Sequence, residues 1–278
     1  MNRFIWICLS ALLFSACLDN KKEVHVQETT VQAHVDTQQT VIDTIIPDAQ
    51  EADPPQSVDE FFDDFIYSFS TNRHFQYRRI AFPLPVCTNN DTTYLSRKEW
   101  TFNPMHSTED VYVTLVSSEQ QLSIEKDAEL SKVNLEWIYL NKERIKQYIF
   151  QKLVGKWMLT GIRMIPLSSH RYGDFIQFYR HFASDSIFQR KHVAEYVNFA
   201  TFDEDISEQE INGVVDIDQW FAFKPQLPTD VIVNIDYGQH LSTQGRRTLV
   251  FRGISNSMMN TLTFQRYEHL WRLVKFKI

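Results

Sequence analysis

Apolar residues recur at helical spacing where the aromatic-rich part of the chain begins. The apolar face of this segment comprises Phe61, Phe62, Phe65, Ile66 and Phe69. Ser57 and Glu60 just before it fit a capping box, in which a serine caps the helix and a glutamate reaches back to the backbone. The pattern predicts an amphipathic helix that runs from Ser57 to about Asn72 and buries its aromatic face.

Later segments are predicted to be β-strands, and Asp110 to Ser117 shows their two-residue alternation. The predicted strands are Asp110 to Ser117, Val133 to Leu140, Lys146 to Leu153, Lys156 to Met164, Arg247 to Ile254, Met259 to Tyr267 and Leu270 to Ile278. A turn near Gly155 joins two of them into a hairpin. Helices placed before a series of antiparallel strands indicate the α+β class rather than an alternating α/β fold.

The second half of the aromatic-rich part repeats the first. At a shift of 113, Phe62, Phe65, Phe69 and Phe75-Gln76 fall on Phe175, Phe178, Phe182 and Phe188-Gln189. At a shift of 114, Phe150 and Trp157 fall on Phe264 and Trp271. At a shift of 120, Trp100 falls on Trp220, and the segment Asp110 to Leu115 falls on Asp230 to Ile235. Three matching blocks in the same order predict two domains of one kind, 58–166 and 167–278, each folding its N-terminal helix onto its own curved antiparallel sheet.

This arrangement resembles the nuclear transport factor 2-like (cystatin-like) superfamily, present twice in tandem. The segment Phe75-Gln76, the run from Arg79 to Leu84 and the closing tryptophan-containing hairpin are similar to an uncharacterised family of bacterial lipoproteins, a domain of unknown function. The second copy departs from the Phe-Pro-Leu step and has Ala194-Glu195-Tyr196 instead, so its sheet is expected to start differently. The resemblance implies conical folds with pockets, which serve isomerases, dehydratases and many binding or assembly modules.

The first seventeen residues have the order of a secretory signal. Arg3 is followed by the apolar run Phe4 to Phe14 and by small residues before Cys17. The ending Leu13 to Cys17 resembles a bacterial lipobox, which implies cleavage before Cys17 and diacylation of its thiol by chains such as palmitate. The alternative is a cleaved signal with an incidental cysteine. We therefore expect an exported protein with a lipid anchor in a bacterial membrane. The expected membrane is the outer one, with the protein facing the periplasm or the cell surface.

Residues 18–57 form a predicted disordered stalk between this anchor and the body. They contain no aromatic residue, and eight acidic residues stand against two lysines. Such a segment cannot bury enough apolar surface to offset the entropy of ordering the chain. Because much of the net charge of −7 lies in the stalk, the body is nearly neutral, which argues against a nucleic-acid partner.

The candidate binding residues come from the repeat. Trp100 and Trp220 are candidates for lining a ligand pocket, with core packing as the alternative. Asp110 and Asp230 are the acidic residues repeated at equivalent positions, with hydrogen bonding at a strand start as the alternative.

No cofactor or metal motif stands out in the sequence. The nine histidines are scattered, and the spacings of a P-loop and of a dinucleotide fingerprint are missing from the chain. The acidic run Asp203-Glu204-Asp205, followed by Glu208 and Glu210, lacks the spacing of a calcium loop and is interpreted as solvated. We therefore expect neither a metal nor a cofactor.

Two functional hypotheses follow. The first is a non-catalytic binding or assembly module of the cell envelope. It contacts the membrane through the lipid on Cys17, and its ligand is an envelope protein, a glycan or a small apolar molecule. The alternative is a pocket enzyme of the isomerase or dehydratase type. An enzyme would need a carboxylate or histidine base in a pocket with a hydroxyl or an acid opposite.

Overall fold

The structure is a computed structural model that describes residues 56–89, 91–202, 210–240 and 245–278. The predicted signal peptide 1–17, Cys17 and all but the end of the stalk 18–57 lie outside the described residues, as do Asp203, Glu204, Asp205 and Glu208. Within the described ranges, no helix is both long enough and apolar enough to cross a membrane.

The first half contains two helices and six strands. In chain order they are α1 (Phe62–Thr71), α2 (Arg73–Arg78), β1 (Leu84–Thr88), β2 (Asp91–Leu95), β3 (Val111–Val116), β4 (Lys132–Tyr139), β5 (Arg144–Leu153) and β6 (Lys156–Pro166). Short 3-10 turns precede α1 and follow β3 and β4. The predicted strands in this half are confirmed, each to within two residues of its observed ends.

The second half contains three helices and six strands over its described residues. In chain order they are α3 (Gly173–Ser184), α4 (Ser186–Lys191), β7 (Val193–Phe202), β8 (Glu210–Asp216), α5 (Ile217–Phe223), β9 (Val231–Asp236), β10 (Arg246–Gly253), β11 (Met259–Tyr267) and β12 (Leu270–Lys277). The three predicted strands at the C-terminal end are confirmed.

The helix α1 begins later than the sequence predicts, and the capping box does not form. Ser57 lies in a 3-10 turn, where its carbonyl accepts a hydrogen bond from the Glu60 backbone N–H at 3.0 Å, and Phe61 occupies the N-cap without a side-chain bond. The neighbouring Asp59 explains the difference. Its carboxylate accepts two bonds from the Arg79 guanidinium, at 2.9 and 2.7 Å, and one from the Trp157 backbone N–H at 2.9 Å. These contacts hold the chain before α1 against the β5–β6 hairpin.

All twelve strands of the described residues form one sheet. Their order is β2-β1-β6-β5-β4-β9-β3-β10-β11-β12-β7-β8. Most neighbours are antiparallel, and the pairs β1–β6, β12–β7 and β3–β9 are parallel. This differs from the expectation of a separate antiparallel sheet in each half.

The two halves exchange one strand at the centre of this sheet. β3 of the first half pairs with β10 of the second, with Leu115 opposite Leu249, and β9 of the second half pairs with β4 of the first, with Leu135 opposite Ile235. β3 and β9 are the strands that match at a shift of 120 in the sequence. β9 occupies the place beside β4 that β3 would fill if each half kept its own strand. In the same way, β3 occupies the place beside β10 that β9 would fill.

Two apolar cores lie on opposite faces of the sheet. The first core surrounds the aromatic face of α1, and the second surrounds that of α3. In β3, Tyr112 belongs to the first core whereas Val113 and Leu115 belong to the second. Because successive residues of a strand point to opposite faces, the central strands contribute side chains to both cores.

Residues that match in the sequence have matching surroundings in the two cores. The Phe62 ring lies 5.4 Å from Phe150 and 5.1 Å from Trp157 between centroids, at interplanar angles of 64° and 76°. The Phe175 ring lies 5.4 Å from Phe264 and 5.1 Å from Trp271, at 66° and 74°. The predicted aromatic faces of both helices are thus buried against the closing hairpin of the same half.

The outer parts of the sheet were not predicted from the sequence. β1, β2, β7, β8 and α5 were missed, and β2 and β8 are the two edges of the sheet. The central strand β9 was also not among the predicted strands, although its sequence was matched to that of β3 through the repeat. The two halves of the sheet start differently, as expected. Ile80 bridges to Leu159 before an interruption at Phe82-Pro83, whereas β7 runs without a break from Val193, which pairs with Leu273.

Candidate functional site

The two candidate tryptophans are part of the cores. Trp100 is buried and donates a hydrogen bond from Nε1 to Gln76 Oε1 at 3.0 Å. Trp220 is fully buried on α5, and its ring lies 4.9 Å from that of Phe276 between centroids. Neither side chain faces a cavity described below, so their geometry agrees with the packing alternative.

The two candidate aspartates stand at equivalent places, one residue before β3 and β9. The Asp110 carbonyl accepts from the Ile254 backbone N–H at 3.0 Å, and the Asp230 carbonyl accepts from that of Leu140 at 2.9 Å. These bonds extend the two exchanged strand pairs beyond their ends. Both side chains are exposed, and Oδ1 of Asp110 lies 3.0 Å from His106 Nδ1.

A pocket of about 410 Å³ lies beside these aspartates, and we name it the loop pocket. Three connecting segments form it: the residues before β3, the loop between α5 and β9, and the turn between β10 and β11. It is lined by Thr108, Glu109, Val111, Pro225, Gln226, Pro228, Phe251, Met258 and Asn260. Asp110 lies between two lining residues and Asp230 follows two residues after Pro228, but neither aspartate lines the pocket itself.

Hydrogen bonds hold the walls of the loop pocket in place. The hydroxyl of the buried Tyr179 on α3 donates to the Pro228 carbonyl at 3.2 Å. The Gly253 backbone N–H donates to the Met258 carbonyl at 3.0 Å and closes the β10–β11 turn. Partial burial, together with the negative charge of Asp230, raises the pKa of the Glu109 carboxyl. The lining thus combines apolar residues such as Val111 and Phe251 with the carboxyl of Glu109.

A second, smaller cavity of about 140 Å³ lies between α1 and the central strands, and we name it the tyrosine pocket. It is lined by Asp63, Ile66, Tyr67, Tyr112, Thr114, Ile235, Tyr237, Arg252, Gly253 and Ile254. The Tyr237 hydroxyl donates to Asp63 Oδ1 at 2.5 Å. Burial is the main cause that raises the pKa of the Asp63 carboxyl, and the bond from Tyr237 and the charge of Arg252 oppose it.

A buried polar cluster that was not predicted from the sequence lies on the second-core face of the sheet. Glu136 on β4 is fully buried and accepts bonds from Gln147 Nε2 and Asn234 Nδ2, each at 2.8 Å, while His170 Nε2 lies 3.2 Å from its Oε1. Next to it, Arg171 forms an ion pair with Asp236. Burial acts to raise the pKa of Glu136, but the contacts with His170, Gln147 and Asn234 outweigh it and lower the pKa overall.

This cluster gave no signal in the sequence. Glu136 stands among apolar residues with strand alternation, on the opposite face from Leu135 and Trp137, where a solvated side chain is expected. It is buried because the second core covers that face. In the described part of the chain, no group of three or more His, Cys, Asp or Glu side chains is arranged to hold a metal ion.

Comparisons with known proteins place the chain in a family and a fold. Residues 41–278 match the family described as "Domain of unknown function (DUF4348)". A crystal structure of an NTF2-like (nuclear transport factor 2-like) protein from Bacteroides fragilis NCTC 9343 is similar, with 36% sequence identity over 81% of this chain and 98% of that chain and a TM-score of 0.74. The fold is therefore NTF2-like, mixed α+β with a large curved sheet and few helices. No curated protein matches the chain.

Proposed function

We propose that this chain, which belongs to the DUF4348 family, is an exported lipoprotein anchored through Cys17 and that it binds a small ligand in the loop pocket. The observation that carries this proposal is the pocket itself. Its volume of about 410 Å³ falls within the range of about 300–1,000 Å³ that small-molecule sites occupy. The sequence from Arg3 to Cys17 supports the anchor.

The packing of the two halves supports a binding module with two nuclear transport factor 2-like units, 58–166 and 167–278. Aromatic side chains occupy the space between α1 and the sheet and the space between α3 and the sheet. The paired distances of Phe62 and Phe175 to their hairpins support a common origin for the two units. The larger of the two pockets described above therefore lies among the loops at the rim, where side chains are free to differ between copies.

The lining of the loop pocket defines the class of ligand that fits. Val111, Pro225 and Phe251 offer apolar contact, while Glu109 accepts hydrogen bonds and Gln226 and Asn260 both donate and accept them. A small ligand with an apolar body and at least one hydrogen-bond donor satisfies both parts of this lining.

A fragment screen on the full-length protein in mild detergent tests this proposal. Ligand-observed NMR is run with a library of neutral, cationic and anionic fragments on the wild type, Gln226→Trp and Thr229→Trp. The first variant places an indole at the exposed rim of the pocket, and the second places it at a nearby exposed position outside the lining. We expect fragments that bind the wild type and Thr229→Trp but lose binding to Gln226→Trp. Equal binding to all three proteins, or no bound fragment, would rule out the loop pocket as the ligand site.

The tyrosine pocket supports a second candidate function, an enzyme of the isomerase or dehydratase type. Its carboxyl at Asp63 faces the hydroxyl of Tyr237, and such a pair can remove a proton at one atom of a substrate and hydrogen-bond to another. The test is incubation of the full-length protein in D₂O with a panel of small ketones and hydroxy acids. Deuterium incorporation or dehydration in the wild type and Asp64→Asn, but not in Asp63→Asn, supports the enzyme, and no reaction in the wild type counts against it.

A further inference from the structure

We propose that the tyrosine pocket is a second binding site and that it takes a small organic cation, a short primary ammonium ion. This site is separate from the loop pocket, because the two linings share no residue. The proposal requires binding only, so it depends on neither of the two functions above.

The walls of the tyrosine pocket come from both halves of the chain. α1 supplies Asp63, Ile66 and Tyr67, the exchanged strands β3 and β9 supply Tyr112, Thr114, Ile235 and Tyr237, and the end of β10 with the residue after it supplies Arg252 to Ile254. A volume of about 140 Å³ corresponds to about four or five water molecules at about 30 Å³ each. A ligand of about five non-hydrogen atoms therefore fits.

The fixed charges near the pocket are unbalanced toward the negative. Arg252 forms an ion pair with Glu125, and its Nη1 lies 3.9 Å from Asp63 Oδ2, so one guanidinium serves two carboxylates. The Glu125 side chain is nearly buried, and its Oε1 has no hydrogen-bond partner among the described residues. Burial is the main cause that raises the pKa of both Asp63 and Glu125, and the charge of Arg252 opposes it at both; at Glu125 the negative charge of Asp63 adds to the rise.

The charges around the pocket favour a cation over an anion. An anionic ligand would place a third negative charge next to Asp63 and Glu125, while Arg252 is already engaged by both. The other charges that act on these carboxylates are those of Asp64, on the exposed side of α1, and of Lys126, next to Glu125. An ammonium ion at the Asp63 carboxylate supplies the missing positive charge and three hydrogen-bond donors.

The three tyrosines suit the same ligand. Tyr67, Tyr112 and Tyr237 line the cavity, and tyrosine ring faces attract cations within about 6 Å of the ring centroid. Their hydroxyl oxygens are acceptors for an N–H donor, while Ile66, Ile235 and Ile254 offer contact to a short alkyl chain. A primary ammonium on a short alkyl chain fits this combination, whereas a bare metal ion lacks a third carboxylate or histidine ligand in the described residues.

Calorimetric titration of the full-length protein in mild detergent with three probes of equal chain length tests the proposal. The probes are n-butylammonium, butan-1-ol and butyrate, at neutral pH. We expect saturable binding of one n-butylammonium per chain at this site and binding of the other two at least about tenfold weaker, since a hydrogen bond to a charged group contributes about 1.5–3 kcal/mol, or about 10–100-fold. Equal binding of butan-1-ol or butyrate, or no saturable binding of n-butylammonium at millimolar concentration, overturns the proposal.

Variants locate the binding. Asp63→Asn should weaken the binding of n-butylammonium by about tenfold or more, whereas its exposed neighbour Asp64→Asn should bind n-butylammonium as the wild type does. Glu109→Gln changes the loop pocket and should leave the affinity of the tyrosine pocket unchanged, because the two linings share no residue. Tyr67→Ala removes a half-exposed ring and should weaken binding by about two- to fivefold without loss of the fold. Loss of binding in Glu109→Gln with retention in Asp63→Asn and Tyr67→Ala would instead assign the ammonium to the loop pocket and refute the site proposed here.

Discussion

Leu135 of β4 lies directly opposite Ile235 of β9 in the ladder that joins the first half of the chain to the second. The corresponding pair on the other side of the centre is Leu249 of β10 and Leu115 of β3. Each half therefore closes its sheet with a strand that the other half provides. The exchange ties the folding of the two halves together, because each core contains side chains from both.

Separation of the halves tests this coupling. We expect the fragments 56–166 and 167–278 to be unfolded or aggregated when each is expressed alone, because β4 and β10 then lack their central partners. Expressed together, they should copurify through a tag on one fragment and recover the circular dichroism of the intact chain. A folded monomeric fragment 56–166 would contradict this expectation and would show that β3 can pair with β4 within one half.

The aromatic face of α1 gives a direct test of the first core. Phe65 is fully buried among Phe62, Phe69, Phe75 and Phe150. Its replacement by alanine should lower the free energy of unfolding by about 3–5 kcal/mol, measured by urea denaturation. The control Ile187→Ala, at a side chain that is 70% exposed, should change it by less than about 0.5 kcal/mol. A change near zero for Phe65→Ala would mean that the helix does not pack as described.

Strong local patterns explain which parts of the fold could be predicted. The seven predicted strands are apolar-rich runs of eight or nine residues, and α1 has four apolar residues on one face (Phe62, Phe65, Ile66 and Phe69), so both signals are readable without tertiary information. β2 and β8 lie at the sheet edges, where most side chains are exposed and no alternation is required. The predicted capping box does not form because the contacts of Asp59 with Arg79 and Trp157 determine where α1 begins.

The candidate sites were harder to predict because they depend on the strand exchange. Asp63 and Tyr237 are far apart in the chain and meet only because β9 lies in the first half of the sheet. Asp110 and Asp230 were identified through the repeat, and only their chain neighbours Glu109, Val111 and Pro228 line the loop pocket. Trp100 and Trp220 were identified by the same argument, but their repetition reflects their place in the two cores.

Lipid attachment at Cys17 gives a prediction for the part of the chain before the described residues. Cys17→Ala should release the protein from membranes and abolish labelling by a radioactive or clickable palmitate, because the thiol that carries the lipid is lost. Cys87→Ala is the matched control, since Cys87 lies in β1 and should leave membrane retention and labelling unchanged. Membrane retention of Cys17→Ala equal to that of the wild type would refute the anchor.

The raised pKa of Asp63 predicts how stability changes with pH. Its carboxyl has a higher pKa in the folded protein than its ordinary value of 3.8, so the folded state binds the proton more tightly than the unfolded state does. The stability of the wild type relative to Asp63→Asn should therefore be highest at and below about pH 3.8 and fall as the pH rises through the folded pKa. Urea denaturation of both proteins between pH 3.5 and 8 measures this difference. A difference that rises with pH would contradict the geometry of the tyrosine pocket.

Glu136 should show the opposite dependence, because hydrogen bonds hold its pKa below the ordinary value of 4.5 in the folded protein. Its ionised form gains from Gln147, Asn234 and His170, so its contribution to stability is present above about pH 4.5 and is lost as the pH falls through the lower folded pKa. The stability of the wild type relative to Glu136→Gln should therefore increase between about pH 3 and pH 6, in the same urea experiments. Because Asp63 and Glu136 lie in different clusters, the two opposite slopes should appear independently in the two variants. A flat or falling difference for Glu136→Gln would show that the buried carboxyl is protonated in the folded protein, and the hydrogen bonds described around it would then be wrong.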